Sequence, residues 1–213
     1  MSTLTKSQER SIAVLLERVP LAAGLGTEEK PCSVAAINLA LSETLTARIP
    51  GCMSEVVGEW IIAVQDNMPD EMRNSVEWKR LLPRAAGTGR THEEERIAIL
   101  VEWMWTTVLA VVQPTADEFG FGRVWAEMLR DRTIAAALEA KHYAERTSDH
   151  HVASCAAAAL AVARDSAFTD FRYHTVDNVA TMAADAAYST PDPHLAWESF
   201  DVCGVLSKLI EAG

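Results

Sequence analysis

Residues 87–112 read GTGRTHEEERIAILVEWMWTTVLAVV, and this stretch decides the expected fold. Thr91 and Glu94 have the spacing of a capping box, in which two polar side chains satisfy free N–H groups at a helix start. The apolar run that follows is typical of a buried central helix, so we predict one from about 91 to 112. Pro114 is expected to end or kink that helix, because proline lacks the N–H that the helix needs.

The rest of the chain also has the pattern of helices. Apolar residues recur at the i, i+3, i+4 spacing of helix faces, and the alternation typical of strands is almost missing. The last third is rich in alanine, the residue with the highest helix propensity. We therefore predict an all-α fold, a single bundle of about eight helices over residues 1–213. Its C-terminal helices are the alanine-rich ones, with a soft subdivision near 147/148.

Capping residues and prolines give the expected helix boundaries. Thr5 and Gln8 form another capping-box pattern at the start of the first helix. Pro31 suits the first position of the second helix, and Pro83 is expected to end a short helix capped by Ser75. The longer flanking helices are expected over about residues 6–19, 31–48, 123–147 and 195–211.

The chain is acidic, with 30 aspartate and glutamate residues against 19 lysine and arginine residues and a formal net charge of −11. Direct nucleic-acid binding over the whole surface is therefore not expected, because phosphates need cationic partners. The four cysteines show no C-x-x-C pair and the N-terminus lacks the apolar core of a signal peptide, so a cytoplasmic protein with reduced thiols is expected. The longest apolar run, residues 97–112, is too short for a bilayer and contains Glu102, so no membrane span is expected.

The loop before the central helix is the first candidate site, within the most basic stretch of the chain, residues 73–96. It combines glycines, which allow close backbone approach, with arginines and with a helix N-terminus that attracts anions. The alternative is a connecting turn whose arginines pair with the glutamates at 93–95. A phosphate or carboxylate ligand would be held by Arg84, Gly87, Gly89, Arg90 and Thr91.

Cys32 is the second candidate, because it follows Pro31 at an expected helix start, where thiols are activated by the helix dipole. A nucleophilic cysteine also needs a base. The sequence does not choose among the six histidines, and His92 is taken as the candidate. The alternative is a buried structural cysteine that packs as a small hydrophobe.

Asp170, His174 and Asp177 would share one helix face, as metal ligands in helical bundles do. The alternative is a solvated acidic face that contains one histidine. A di-metal bundle needs two Glu-x-x-His pairs, which the sequence does not supply, so we expect neither a metal nor another cofactor.

Two segments carry a resemblance: PCSVAAINLALSETLTARIPGCMSEVVGEWIIAVQDNMPDEMRN at residues 31–74 and LLPRAAGTGR at 81–90. They resemble uncharacterised bacterial proteins that end in alanine-rich helical tails. The tail of this chain is also similar in composition to helical immunity proteins. The resemblance implies a bacterial or prophage setting and nothing about chemistry.

The acidic charge, the helical content and the lack of a strong catalytic motif favour an interaction protein that binds a protein partner. An enzyme or binding protein for a small anionic ligand, using the 84–92 loop and Cys32, is the first alternative. A metal-binding bundle is the second. A homodimer is also expected, because the chain has more apolar helix surface than its polar faces could cover, and the excess would be buried between two subunits.

Overall fold

The computed structural model describes residues 4–165 and 173–212. Within these residues every regular element is a helix, and the one β interaction is an isolated antiparallel bridge between Gly26 and Pro31. The predicted all-α class is therefore confirmed.

The chain divides into two compact units, one formed by Met1–Arg96 with Val202–Gly213 and the other by Ile97–Asp201. The predicted soft subdivision near 147/148 lies inside the second unit. The single domain over residues 1–213 stays a prediction.

The first unit has a core of large aromatic and aliphatic side chains. The rings of Trp60 and Trp78 are 6.2 Å apart, and Trp78 donates its Nε1–H to Ser33 Oγ at 3.1 Å, so this buried indole N–H is paired. At the start of the chain, the predicted capping box of Thr5 and Gln8 is confirmed. The helices are α1 (Lys6–Arg18), α2 (Ser33–Ser42), α3 (Glu55–Asn67), α4 (Asp70–Arg73), α5 (Val76–Ala86), the first residues of α6 (Glu93–Trp103), and α13 (Val202–Glu211).

In the second unit the alanine-rich helices pack closely, as their small side chains allow. Their buried positions include Ala156, Ala159 and Ala183. After α6 come a π-helical turn (Met104–Val108), a 3₁₀ turn (Leu109–Val112), α7 (Gln113–Glu118), α8 (Gly122–Asp131), α9 (Ile134–Ala144), α10 (His150–Asp165), α11 (Tyr173–Tyr188) and α12 (Pro193–Ser199). α11 packs against α10 and against the π and 3₁₀ turns.

The predicted count of about eight helices is too low, because turns divide segments that were expected to be continuous. Arg132 separates α8 from α9, and Asp201 separates α12 from α13. Glu43 ends α2 at Ser42, well before the predicted end near residue 48. All three separating residues are non-glycine residues with a left-handed backbone, at φ values of 53°, 49° and 55° respectively. A left-handed residue interrupts the helical hydrogen-bond ladder.

The segment after α2, residues 44–48, is held by the buried side chain of Asn38 instead of by helical hydrogen bonds. Its Nδ2 donates to the carbonyls of Thr46 and Arg48, both at 2.8 Å. A side-chain amide thus supplies the partners that a helix would have supplied.

The central helix differs from its predicted range of 91–112 at both ends. It begins at Glu93, because Thr91 stays in the preceding loop and His92 has a positive φ of 63°. It continues without leaving helical geometry to Glu118. Most of its large apolar residues are buried as expected, including Leu100 and Met104, whereas Ile99, Val101 and Val111 are half-buried.

Two prolines lie inside helices that they were expected to end or kink. Pro83 is buried within α5, which continues to Ala86. Pro114 lies in the first turn of α7, where its missing N–H is least costly. The π and 3₁₀ turns just before it change the hydrogen-bond register, with Leu109 N donating to the Met104 carbonyl, so the helix continues past the ring.

By length and composition alone, the helix from Glu93 to Glu118 could cross a membrane, with a mean hydropathy of 1.5 over its most apolar window. In the structure 44% of that window is buried. The core helix of a soluble protein passes the same test, so this is weak evidence for a membrane span. The expected absence of a span and the expected cytoplasmic location stay predictions.

Candidate binding site

The loop between α5 and α6 is folded around Arg96, whose side chain has no exposed surface. Gly89 turns the loop with a φ of 64° and donates its N–H to the Cys52 carbonyl at 2.9 Å. The buried guanidinium therefore fixes the loop backbone from inside. It donates to four carbonyls, those of Thr88 at 3.2 Å, Gly89 at 3.5 Å, Leu209 at 2.9 Å and Thr91.

Glu93 completes the same network from the start of α6. Its carboxylate is only 12% exposed and lies 3.6 Å from Nη1 of Arg96. It also accepts from Ser54 Oγ at 2.5 Å and from the Glu55 N–H at 3.0 Å, at the start of α3. One carboxylate thus compensates the buried cation and satisfies a free N–H of α3.

In the connecting turn that the sequence left open as the alternative to an anion site, the arginines were expected to pair with the glutamates at 93–95, and Arg96 lies beside Glu93 in this way. Arg90 pairs with Glu55, and the Thr91 carbonyl accepts from Arg96. Arg84 does not join the loop network: it lies 3.9 Å from Glu211 on α13. The proposed ligand site in this loop stays a prediction, and Arg84 belongs to the groove between α1 and α5 described below.

Cys32 is the N-cap of α2, where its Sγ accepts from the Ala35 N–H at 3.3 Å, and it is 1% exposed. Its predicted base, His92, is largely exposed and has Nδ1 3.1 Å from Glu95. The described contacts of Cys32 do not include His92, and those of His92 do not include Cys32. The predicted catalytic pair therefore stays a prediction, while the contacts of Cys32 are those of a buried capping residue.

Two of the three candidate metal ligands lie outside the described residues, namely Asp170 and the side chain of His174. The third, Asp177, is exposed on α11. Among the described residues, no group of three or more histidine, cysteine or carboxylate side chains is placed to hold a metal ion.

The second unit contains a polar cluster between α10 and α11. Asp185 accepts from Ser154 Oγ and lies 2.8 Å from Nδ1 of His151. Beside it, burial together with the carboxylates of Asp185 and Asp149 raises the pKa of the Cys155 thiol well above its ordinary range. A protonated thiol is a poor nucleophile, and the serine is held by the carboxylate that also holds the histidine. The contacts of Asp185 with Ser154 and His151 join α10 to α11.

A groove of about 810 Å³ runs between α1 and α5 of the first unit. The two helices are antiparallel. At one end Lys79 Nζ donates to the Val19 carbonyl at 2.9 Å, and at the other end a Cβ on Gly87 would lie 3.7 Å from the Leu4 side chain. The floor of the groove is apolar and is formed by Ala13, Leu16, Val76 and Pro83.

Cationic side chains line both edges of this groove. Arg84 reaches Glu211 only at 3.9 Å, with both side chains about half exposed. Partial burial lowers the pKa of Lys79, which faces the Val19 carbonyl rather than a carboxylate. The five cations are Lys6, Arg10, Lys79, Arg80 and Arg84, against two carboxylates, Glu9 and Glu17. Within the described ranges, Lys6, Arg10 and Arg80 form no ion pair and no side-chain hydrogen bond.

Sequence reasoning found only part of this set. Arg80 and Arg84 lie in the basic stretch 73–96, whereas Lys6 and Arg10 were not singled out. Lys6 and Arg10 are four residues apart, as are Arg80 and Arg84, so the two residues of each pair share one helix face. This spacing is the signal in the sequence that could have identified the set. The antiparallel packing that brings the two faces together is not visible in the sequence. No protein-family model, curated protein or solved structure matches this chain.

Proposed function

We propose that the protein acts by binding a protein partner and that the groove between α1 and α5 is its contact surface. One observation carries the proposal: a chain of net charge −11 gathers five cations around an apolar floor, and three of them have no acidic partner among the described residues. Such a patch attracts an anionic surface and speeds association with it.

The floor adds an apolar contact to the charge. Val76 is 84% exposed, the highest value among the large exposed hydrophobic side chains of the described residues, and it lines the groove together with Ala13 and Leu16. Covering an exposed aliphatic side chain is favourable by about 1.5–3 kcal/mol when the burial is complete. A partner that carries both carboxylates and an apolar side chain would therefore pair with the cations of the groove and cover its apolar floor.

The second candidate is a small anionic ligand. The groove volume of about 810 Å³ lies in the range of small-molecule sites, and the facing cation pairs on α1 and α5 suit a phosphate or a carboxylate. The open floor at Val76 favours the protein partner, because a small anion leaves that side chain uncovered.

Selection from a displayed library of random peptides about 16 residues long, against the full chain, tests the proposal. The groove variant Lys6→Gln/Arg10→Gln/Arg80→Gln is compared with a control variant, Arg123→Gln/Arg130→Gln/Arg146→Gln, which removes three exposed cations elsewhere. Enriched peptides should bind the groove variant about 10-fold more weakly, since each rim charge contributes up to about 1 kcal/mol. Their affinity for the control variant should stay within about 2-fold of the wild type.

The proposal fails if no peptide is enriched, or if the enriched peptides bind the groove variant and the wild type equally well. Displacement of the peptides by inorganic phosphate, at an ionic strength where chloride does not displace them, would favour the small-ligand candidate. A dimer mass in light scattering that falls to a monomer mass in the groove variant would identify the partner as a second copy of this chain.

A further inference from the structure

The geometry of the groove points to one kind of occupant, and this inference rests on the proposed function. We infer that the occupant is an amphipathic helix of a partner protein, with a pair of carboxylates one turn apart and an apolar anchor about two turns away from them. The carboxylates would meet the cations of α1 and α5, and the anchor would cover Val76.

The walls of the groove explain why the occupant is helical. Both walls are α-helices whose backbone N–H and C=O groups are paired within each helix, apart from the ends and from the Lys79 carbonyl, which Pro83 leaves without its helical donor. An extended segment needs a sheet edge to pair its own backbone, and this groove has none. Over the apolar floor its N–H and C=O groups would stay unpaired, whereas a helix pairs them internally.

The length of the groove fits such a segment. From Val76 to Arg84 the α5 edge covers eight residues, or about 12 Å at 1.5 Å per residue. From Lys6 to Glu17 the α1 edge covers about 16 Å on the same rule. A segment of roughly two to three helical turns spans this distance.

The charge along the groove sets the order of side chains in the occupant. The cations Lys6, Arg10 and Arg84 lie at the end where α1 begins and α5 finishes. The exposed Val76 lies at the opposite end, two turns of α5 away from Arg84. The carboxylates and the apolar anchor of the occupant are therefore separated by about seven or eight residues.

The exposed apolar surface of the groove favours an acidic helix over other polyanions, such as a nucleic acid. A nucleic acid brings phosphates at regular spacing but has no side chain to cover Val76, and the chain as a whole repels it at net charge −11. An acidic helix with a leucine anchor uses both features. Binding should therefore depend on Val76 as well as on Arg10.

Synthetic peptides provide the test. The parent peptide is a 16-residue alanine- and glutamine-based helix with Glu at positions i and i+4 and Leu at i+11. One derivative carries Gln in place of both Glu, one carries Ser in place of Leu, and one has proline at its centre. Each is titrated by fluorescence anisotropy against the wild-type chain, Arg10→Gln, Val76→Asp and the matched control Arg123→Gln. Far-UV circular dichroism follows helix formation on binding.

The parent peptide should bind with a gain in helical signal, and its affinity should fall up to about 5-fold on Arg10→Gln, about 10-fold on Val76→Asp and not on Arg123→Gln. The Gln peptide should lose most of the salt dependence of binding and become insensitive to Arg10→Gln, which marks the Glu–Arg10 contact. Proline inside the helix should weaken binding about 100-fold.

Equal binding of the proline and parent peptides would overturn the helical occupant. If those peptides still need Lys6, Arg10 and Arg80, the proposed function survives while the inference fails. A 12-base-pair DNA duplex that binds more tightly than the parent peptide through the same cations would also overturn the inference. If neither the designed peptides nor the random library binds through the groove, both the inference and the proposed function fail.

Discussion

Replacing Arg96 by methionine removes the buried cation on which the α5–α6 loop is built. Four backbone carbonyls lose a donor, and the carboxylate of Glu93, only 12% exposed, loses the cation 3.6 Å away. Breaking a buried charge pair from one side costs about 3–5 kcal/mol, because the remaining charge is uncompensated. We expect the free energy of unfolding to fall by that amount and Tm to fall by about 10 °C, at 2–4 °C per kcal/mol for a chain of this size.

Urea unfolding followed by tryptophan fluorescence measures the free-energy change, and Arg90→Met is the matched control. Arg90 belongs to the same loop, but its side chain is 39% exposed and its pairing with Glu55 is a surface ion pair. The control should therefore lose less than about 1 kcal/mol. Arg96→Lys should recover only part of the loss, because an ammonium group cannot reproduce the planar guanidinium fork. Equal losses in Arg96→Met and Arg90→Met would refute the structural role assigned to the buried guanidinium.

Three further predictions concern single side chains. Asn38→Ala should reduce the free energy of unfolding by about 1–3 kcal/mol in urea titrations, because the carbonyls in segment 44–48 lose a buried donor. Cys155 should react with iodoacetamide only at the rate of unfolding, since its thiol is buried and its pKa is raised. A raised pKa in the folded state gives stability that is complete below about pH 8.5 and lost at higher pH. Cys155→Ala should therefore flatten the fall of unfolding free energy between about pH 9 and pH 10. Lys6→Gln/Arg10→Gln should change the free energy of unfolding by less than about 0.5 kcal/mol in urea titrations, as expected for surface cations that have no acidic partner among the described residues.

Local signals in the sequence were sufficient for the fold class and for several helix starts. The capping box of Thr5 and Gln8 forms as expected, and Ser75 caps α5 through a hydrogen bond from the Trp78 N–H at 3.1 Å. These signals succeed because donor and acceptor lie within one helical turn of each other. Their geometry is fixed by the helix itself and does not depend on distant packing.

The helix ends that were missed share a different cause. Glu43, Arg132 and Asp201 adopt a left-handed backbone, which costs about 1–2 kcal/mol for a residue with a Cβ. No glycine or proline marks these positions, so propensity predicts that the helix continues. The cost is offset by packing, as the Asn38 amide illustrates by holding segment 44–48 after Glu43. Such compensation joins residues that only the folded chain brings together.

The basic stretch 73–96 shows the same limit for function, because its arginines have opposite roles. Arg96 is fully buried and is used within the first unit to organise a loop, whereas Arg80 is exposed and faces the groove without an acidic partner among the described residues. Sequence composition gives both residues equal weight as anion ligands. The pattern of α5 identifies the exposure of Arg80 in part. Trp78 and Leu82 mark the buried side of this helix, and Arg80 lies on the other side. The groove arises only because α1 lies antiparallel to that face and adds its own cations, so the proposed contact surface depends on packing between residues about 70 positions apart.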